Sequence, residues 1–230
     1  MLLNGYGGSL NLLVSYPRSG NTWIRYCIEY LTKQLTIGSL NNPNPIEKGI
    51  GYCTDIGVDF SKDIILNKQH FIKDEQINNN KIIFILRNYK EVIVKQHYQG
   101  TPADFTKEFK KRLYRKYMTL LEKYNKWDEN KRILIYYEDL INKIKIKSIL
   151  KKILHFLDIN INITDFMNNY EYHKRQCVQL YETHIGTSNT KGNKEKHHSN
   201  KLKEYRHEWD DFLIEKYPDL FMDYLWRYRE

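Results

Sequence analysis

The stretch Ser15-Tyr16-Pro17-Arg18-Ser19-Gly20-Asn21-Thr22-Trp23 joins an apolar run at residues 12–14 to a run with helical spacing that begins at Ile24. A strand, a short polar turn and a helix together form an anion-binding site, because the first N–H groups of a helix lack intrahelical partners and lie at the positive end of its dipole. Gly20 allows the backbone to approach a ligand closely, and Arg18 adds a full positive charge. The stretch therefore predicts a phosphate-binding loop.

The composition predicts one folded domain over residues 1–230. The chain has 230 residues, of which 41% are hydrophobic and 14% aromatic, enough to bury a continuous core. Its formal net charge of +9 at pH 7 attracts polyanions such as nucleic acid, an anionic membrane surface or a phosphorylated nucleotide. Charge by itself does not choose among these partners.

The cysteines and the N-terminal sequence bear on the compartment. Cys27, Cys53 and Cys177 are odd in number and form no CxxC motif, so neither a disulfide framework nor a zinc site is predicted. A reducing compartment is the simplest interpretation. The N-terminus has no basic region before its apolar run, and no stretch reaches about 20 apolar residues. We therefore expect a cytoplasmic protein with neither a signal peptide nor a membrane span.

Apolar runs that alternate with helical patterns predict an α/β fold. The run at residues 81–87 is apolar without alternation, as in a strand covered on both faces. Strands alternating with helices indicate a central parallel sheet flanked by helices, here a single-domain, three-layer sandwich of the P-loop NTPase-like kind. The predicted strands are residues 10–16, 63–70, 81–87 and 132–139; the predicted helices are residues 21–34, 90–99, 101–127, a stretch ending at 157, a stretch from 161, and 202–227; the predicted loops are residues 38–57 and 186–193.

Polar side chains follow the predicted strands in four segments that are distant in sequence. Arg18, His70, Arg87 and Glu138 lie at or just beyond strand ends. Ligands of parallel α/β sheets bind at the carboxyl ends of the strands. The fold therefore places these four segments where they can converge on one ligand.

The loop is not a Walker A motif, because the GxxxxGK[ST] spacing is absent. The string YPRSGNTW instead closely resembles the loop with which sulfotransferases bind the 5′-phosphosulfate of 3′-phosphoadenosine-5′-phosphosulfate (PAPS). Further matching segments extend the resemblance from residue 12 to about residue 199. They are Lys68-Gln69-His70, which is similar to the Lys-Thr-His segment of the family, Arg87 after the central strand, Tyr137-Glu138-Asp139, and Lys191-Gly192 in a late loop.

The resemblance implies PAPS as the cofactor and assigns its parts to segments. The loop would hold the 5′-phosphosulfate and Arg87 the 3′-phosphate, while Tyr137 would approach the adenine. Trp23 could stack on the adenine or pack in the core, and the two uses are compatible. The cofactor-binding residues implied are Arg18, Ser19, Gly20, Asn21, Thr22, Trp23, Arg87, Lys95, Tyr137, Lys191 and Gly192.

The catalytic residues implied by the resemblance are His70, Lys68 and Arg18. In the family the lysine steadies the transferring group and the histidine is the base, a role that suits an imidazole pKa near 6.5. The alternative is a histidine that merely ends a strand, with His97 and His184 as competing candidates. Sulfate esters carry less charge than phosphate esters, so no metal ion is expected.

Three features depart from the family pattern. Arg18 stands where a lysine is common, and a guanidinium grips phosphate through two hydrogen bonds but is not an equivalent point charge. Lys95, eight residues after Arg87, stands where many relatives have a serine that holds the 3′-phosphate, and it either binds the same oxygens or points to solvent. The late loop lacks the full Arg-Lys-Gly-x-x-Gly-Asp-Trp-Lys pattern, so Lys191 and Gly192 rest on a short match.

The sequence therefore predicts a PAPS-dependent sulfotransferase that acts on a hydroxyl or phenol of a small molecule or glycan and releases adenosine 3′,5′-bisphosphate (PAP). The loop at residues 38–57 could shape the acceptor pocket or be a plain surface connection. One alternative is a P-loop nucleotide or nucleoside kinase, which would require Mg²⁺ and ATP. Another is a basic protein that binds nucleic acid through the helix at residues 101–127, although charged helix faces are usually solvated.

Overall fold

The computed structural model describes residues 10–38, 56–59, 61–97, 107–184 and 209–229. The strands within these ranges are β1 (Leu12–Ser15), β2 (Thr36–Ile37), β3 (Leu66–Gln69), β4 (Ile82–Leu86) and β5 (Arg132–Tyr136). They form one sheet with the order β2-β3-β1-β4-β5, and each pairing is parallel. The strand that precedes the predicted phosphate loop therefore lies at the centre of the sheet.

Helices cover both faces of the sheet. They are α1 (Asn21–Thr32), α2 (Tyr89–His97), α3 (Lys107–Asn125), α4 (Tyr137–Leu140), α5 (Ile146–Phe156), α6 (Thr164–Asn168), α7 (Tyr170–His184), α8 (Asp210–Lys216) and α9 (Pro218–Leu220). Helices α1, α5, α6 and α7 pack on one face, and α2, α3 and α8 pack on the other. The predicted three-layer α/β sandwich is confirmed.

The continuous apolar runs of the central strands fill both layers of the core. In β4, Ile83 and Ile85 pack into the layer of α1, whereas Ile82, Phe84 and Leu86 pack into the layer of α2 and α3. Each of these five side chains is at most 2% exposed. A strand covered on both faces gains from apolar residues at every position, so the prediction of a central strand at residues 81–87 is confirmed.

Two details of the predicted strands are wrong. The short strand β2 was not predicted; side chains of α1 fix it, because Arg25 donates to the hydroxyl and carbonyl of Thr36, and Glu29 accepts from the N–H of Thr36. Strand β5 ends at Tyr136 rather than at residue 139, and the next residues form α4. Acidic side chains are favourable in a first helical turn, which explains why the acidic residues after β5 enter a helix.

The strand register brings the carboxyl ends to one edge. Ser15 pairs with Ile85, and Leu86 pairs with Tyr136. The residues immediately after β1, β3, β4 and β5 therefore begin at the same side of the sheet, as the argument from parallel strands requires.

The C-terminal segment is attached to the core by a buried ion pair. Asp210 accepts from the ammonium of Lys90 at 2.9 Å and from the hydroxyl of Tyr89, and the lysine and aspartate side chains are 6% and 8% exposed. A single domain over residues 1–230 stays a prediction. Among the helices that the structure describes, none has the length and apolar character needed to cross a membrane.

Candidate active site

The loop between β1 and α1 has the backbone of a ligand cradle. Arg18 and Gly20 have φ angles of 72° and 89°, and the Gly20 carbonyl accepts from the N–H groups of Trp23 and Ile24. A Cβ at Gly20 would lie 2.7 Å from Cδ2 of Tyr137. The loop therefore needs glycine here, both for its left-handed conformation and for its contact with the tyrosine ring.

Buried polar atoms in the loop lack partners among the described residues. Ser19 is 1% exposed and Asn21 is 7% exposed. The Ser19 hydroxyl and both amide atoms of Asn21 make no hydrogen bond there. Buried polar groups are normally hydrogen-bonded, so their presence at the N-terminus of α1 fits a polar or anionic ligand. Arg18, on the same loop, is half-buried.

Arg87 is fixed beside the loop by three contacts. Its Nη1 donates to the Arg18 carbonyl at 2.7 Å, and its Nη2 donates to Oε2 of Glu91 at 2.7 Å. The guanidinium carbon lies 3.9 Å from the ring centroid of Tyr137. The main-chain carbonyl of Arg87 accepts from the hydroxyl of Tyr117 at 2.7 Å. The guanidinium is therefore oriented against the phosphate loop without help from a ligand.

His70, directly after β3, contacts the last residue of β1 at the start of this loop. Its Nδ1 lies 2.8 Å from the carbonyl of Ser15, which can only accept a hydrogen bond, so Nδ1 carries the proton and Nε2 keeps a lone pair. Burial, and next the positive charge of Lys68, lower the pKa of His70 from 6.5 to about 4, although the bond to Ser15 opposes this. The imidazole is therefore neutral at pH 7 and able to accept a proton at Nε2.

Lys68 lies two residues before His70 on β3. Burial, with a smaller contribution from the charge of Arg25 on α1, lowers the pKa of its ammonium from 10.5 to about 8. A cation that is partly desolvated and near another cation favours an anionic neighbour. Lys68 and His70 therefore form a cationic and a neutral basic group on one strand end.

Trp23 and Tyr137 both carry packing contacts. The Trp23 ring stacks on Tyr26 with a centroid distance of 5.8 Å and meets Phe166 and Tyr170 at 6.3 and 5.8 Å. It is only partly buried, so core packing and ligand stacking remain compatible. Tyr137 lies between Gly20 and the Arg87 guanidinium, which gives it a bracing role in addition to the predicted approach to adenine.

Glu138 braces the end of β4. Its Oε1 accepts from the N–H of Asn88 at 3.1 Å, and its Oε2 accepts from the hydroxyl of Tyr228 at 2.6 Å. Both carboxylate oxygens thus serve structural contacts. Thr22 has a similar passive contact, since its carbonyl accepts from the Cys177 thiol at 3.9 Å.

The sequence did not reveal the charged neighbours of Arg87 and Lys68. Glu91 on α2 pairs with Arg87, and Arg25 on α1 depresses the pKa of Lys68. The spacing of four residues between Arg87 and Glu91 on a predicted strand-to-helix turn was the signal available for the first pair. The second pair depends on the packing of α1 against β3, which no local pattern reveals.

Some predicted site residues lie outside what the structure describes. Lys191 and Gly192 are beyond the described ranges, as are residues 39–55 of the predicted acceptor loop. Lys95 falls in the second turn of α2, but its side chain is not described. Within the described ranges, no group of three or more His, Cys, Asp or Glu residues is placed to hold a metal ion.

Comparison with known proteins gives structural matches only. No family model and no curated protein matches the chain. Mouse sulfotransferase SULT7A1 complexed with PAP matches at 20% identity and a TM-score of 0.44, over 74% of this chain and 63% of that chain. The sulfotransferase domain from the curacin biosynthetic pathway matches at 14% identity and a TM-score of 0.47, over 67% and 75%.

A third match covers nearly the whole chain. Retinol dehydratase in complex with androsterone and the inactive cofactor PAP matches at 13% identity and a TM-score of 0.50, over 96% of this chain and 82% of that chain. This likeness shows a shared fold. The chain spans less than two thirds of the mouse sulfotransferase. The α/β fold predicted from the alternation of strands and helices is confirmed.

Proposed function

We propose that this chain is a PAPS-dependent sulfotransferase that transfers a sulfonate group to a hydroxyl or phenol. The observation that carries the proposal is the convergence of two elements on the β1–α1 loop. Arg87 donates to the Arg18 carbonyl at 2.7 Å, and His70 donates to the Ser15 carbonyl at 2.8 Å. The Arg87 guanidinium and a neutral imidazole thus both contact the segment formed by the end of β1 and the loop that carries Arg18.

The loop and the two neighbouring strand ends would hold the donor. Arg18, the α1 N-terminus and the hydroxyl of Ser19, which has no partner among the described residues, would supply donors for the 5′-phosphosulfate. Lys68 would contact the oxygens of the transferring group, and Arg87 would bind the 3′-phosphate. When bound, PAPS supplies the sulfonate group to be transferred. Retinol dehydratase, the structural neighbour that matches over 96% of this chain, is in complex with PAP, which supports PAPS as the donor.

His70 is the base in this proposal. Its Nε2 would accept the proton of the acceptor hydroxyl while the Ser15 carbonyl holds Nδ1 and fixes the ring orientation. The charge of Lys68 is one reason for the low pKa of His70. An anionic donor placed against Lys68 would offset that charge, so we expect donor binding to raise the pKa of His70 toward the working pH and to make it a better base.

The proposal extends to the acceptor, the partners and the compartment. The acceptor is a small molecule or glycan with a hydroxyl group, and no nucleic acid partner or metal ion takes part. The protein acts in the cytoplasm, a reducing compartment in which the described cysteines Cys27 and Cys177 stay free. The acceptor class and the partners rest on the resemblance of the sequence and on the charge of the chain, whereas the compartment rests on the cysteines.

Calorimetric titration with PAP tests the donor site, and turnover of labelled PAPS with a panel of phenols, sugars and small alcohols tests the reaction. We expect PAP to bind at micromolar concentration. His70→Ala should keep this affinity and lower turnover by about 10²–10⁴-fold. His155→Ala, on the exposed face of α5, is the matched control and should keep full activity. Absence of PAP binding by the wild type contradicts the function, whereas full activity of His70→Ala contradicts only the choice of base.

A further inference from the structure

The peptide group that joins Arg87 to Asn88 is held by side chains on both of its sides. It lies at the junction between β4 and α2. Its carbonyl oxygen accepts from the hydroxyl of Tyr117 on α3 at 2.7 Å, and its N–H donates to Oε1 of Glu138 on α4 at 3.1 Å. Two other helices therefore fix the orientation of the peptide that directly follows Arg87.

Glu138 is itself held by a residue near the C-terminus. Its Oε2 accepts from the hydroxyl of Tyr228 at 2.6 Å. Tyr228 is 7% exposed, and burial, followed by the bond to Glu138, raises the pKa of its hydroxyl above the usual value of 10, so the hydroxyl stays protonated and donates. The Tyr228 ring meets the rings of Tyr89 and Tyr136 at 6.4 and 6.3 Å. The tyrosine is thus packed in a position that orients the carboxylate.

We propose that Tyr117, Glu138 and Tyr228 are positioning residues for Arg87 and set the affinity of the site for the 3′-phosphate. The inference rests on the proposed function, in which Arg87 binds that phosphate. The peptide before Arg87 belongs to the end of β4. Because a peptide group is planar, holding the carbonyl and the N–H of the peptide after Arg87 also restricts ψ of this residue. The direction in which its side chain leaves the main chain is then fixed.

The guanidinium needs this precision. Its Nη1 donates to the Arg18 carbonyl at 2.7 Å, and its carbon lies 3.9 Å from the ring centroid of Tyr137. The buried Nε has no hydrogen-bond partner among the described residues, so it is a donor that a phosphate oxygen can use. Guanidinium–phosphate hydrogen bonds are directional, and a small rotation of the main chain is amplified at the end of a long side chain. Loss of a positioning contact should therefore weaken the grip on the 3′-phosphate.

Calorimetry with two nucleotides measures this effect. PAP carries the 3′-phosphate, whereas adenosine 5′-phosphate does not. We expect Tyr228→Phe, which removes only the hydroxyl, to weaken PAP binding by about two- to tenfold, the range for one lost hydrogen bond. Its affinity for adenosine 5′-phosphate should stay within about twofold of the wild-type value. Tyr117→Phe should have the same effect from the carbonyl side of the peptide.

Turnover and hydrogen exchange separate positioning from a general loss of structure. In Tyr228→Phe the KM for PAPS should rise by a similar factor while kcat stays near the wild-type value, because the 3′-phosphate is bound equally in the ground and transition states. The amide proton of Asn88 should exchange faster with solvent, as followed by NMR. In a Glu138→Ala background Tyr228→Phe should have no further effect on PAP affinity, because its hydroxyl acts through Glu138.

Tyr224→Phe provides the matched control on the same C-terminal segment. The Tyr224 hydroxyl donates to Oδ1 of Asn125 at 2.5 Å, and that oxygen also accepts from Arg132 at the amino end of β5, away from Arg87. This variant loses the same group and should bind both nucleotides as the wild type does. Melting temperatures of all variants verify folding.

Three results would overturn the inference. Unchanged PAP affinity in Tyr228→Phe would mean that the contacts do not orient Arg87. An equal loss of affinity for both nucleotides, or the same loss in Tyr224→Phe, would mean that the packing of the C-terminal segment is responsible. If the wild type binds PAP and Tyr228→Phe binds it equally well, only the inference fails. If the wild type does not bind PAP, the proposed function fails and the inference falls with it.

Discussion

Gly20→Ala is the sharpest test of the loop geometry. The residue has φ of 89°, and an added Cβ would lie 2.7 Å from Cδ2 and 2.9 Å from Cε2 of the Tyr137 ring. The left-handed conformation costs a non-glycine residue about 1–2 kcal/mol, and overpacking adds about 1–3 kcal/mol. The ring cannot simply retreat, because Arg87 lies over it. We expect the free energy of unfolding to fall by about 2–5 kcal/mol, the sum of these ranges.

Gly57→Ala separates the two contributions. Gly57 has φ of 72°, and an added Cβ would meet no atom of the described residues within 4 Å, so we expect only the conformational cost of about 1–2 kcal/mol. Urea denaturation followed by circular dichroism measures both variants. PAP affinity should fall in Gly20→Ala and stay unchanged in Gly57→Ala, and adding Tyr137→Leu to Gly20→Ala should recover part of the lost stability. Equal destabilisation of the two glycine variants would refute the role of the ring contact.

Three further perturbations address charge and burial. Burial and the charge of Arg25 lower the pKa of Lys68 from 10.5 to about 8, so the unfolded state holds this proton more tightly than the folded state. The free energy of unfolding of the wild type should therefore increase as the pH rises from about 8 to 10.5. Lys68→Met should raise the melting temperature at pH 7, remove that rise and weaken PAP binding. The pKa of His70, lowered from 6.5 to about 4, predicts that stability falls as the pH drops from 6.5 to about 4, since the unfolded imidazole takes up the proton first; His70→Asn should flatten this part of the stability curve. Asp210→Ala leaves the buried ammonium of Lys90 without its counter-ion and should cost about 3–5 kcal/mol in urea denaturation, whereas a normal midpoint would show that the pair contributes nothing.

The fold was predictable where local patterns and packing agree. The uninterrupted apolar run at residues 81–87 identified β4 because both faces of that strand are buried. Strand β2 escaped prediction because two residues carry no periodicity, and its position depends on side chains from α1 that reach Thr36. The end of β5 was misplaced because the chain turns at once into a helix, and the alternation of apolar and polar residues does not mark that change.

The site was predictable only in its broad placement. Parallel strands end at one edge, so the segments carrying Arg18, His70 and Arg87 could be brought together from sequence alone. The burial and the neighbours of each side chain could not be predicted, because they depend on packing between residues that are distant in sequence. The pKa of Lys68 reflects a helix on the adjoining layer, and the Tyr137 ring supports both Gly20 and Arg87. The motifs identify which side chains lie at the site, whereas tertiary contacts determine the charge and orientation of each one.

The contacts of the C-terminal segment imply a long-range dependence. Tyr228 reaches Glu138, which in turn accepts from the residue directly after Arg87, and Asp210 holds the start of α2. Nucleotide affinity should therefore respond to lesions far from any atom that touches the ligand. A nonsense mutation or a proteolytic clip that removes Tyr228 would leave Arg18, His70 and Arg87 in place and still loosen Arg87, the residue proposed to bind the 3′-phosphate.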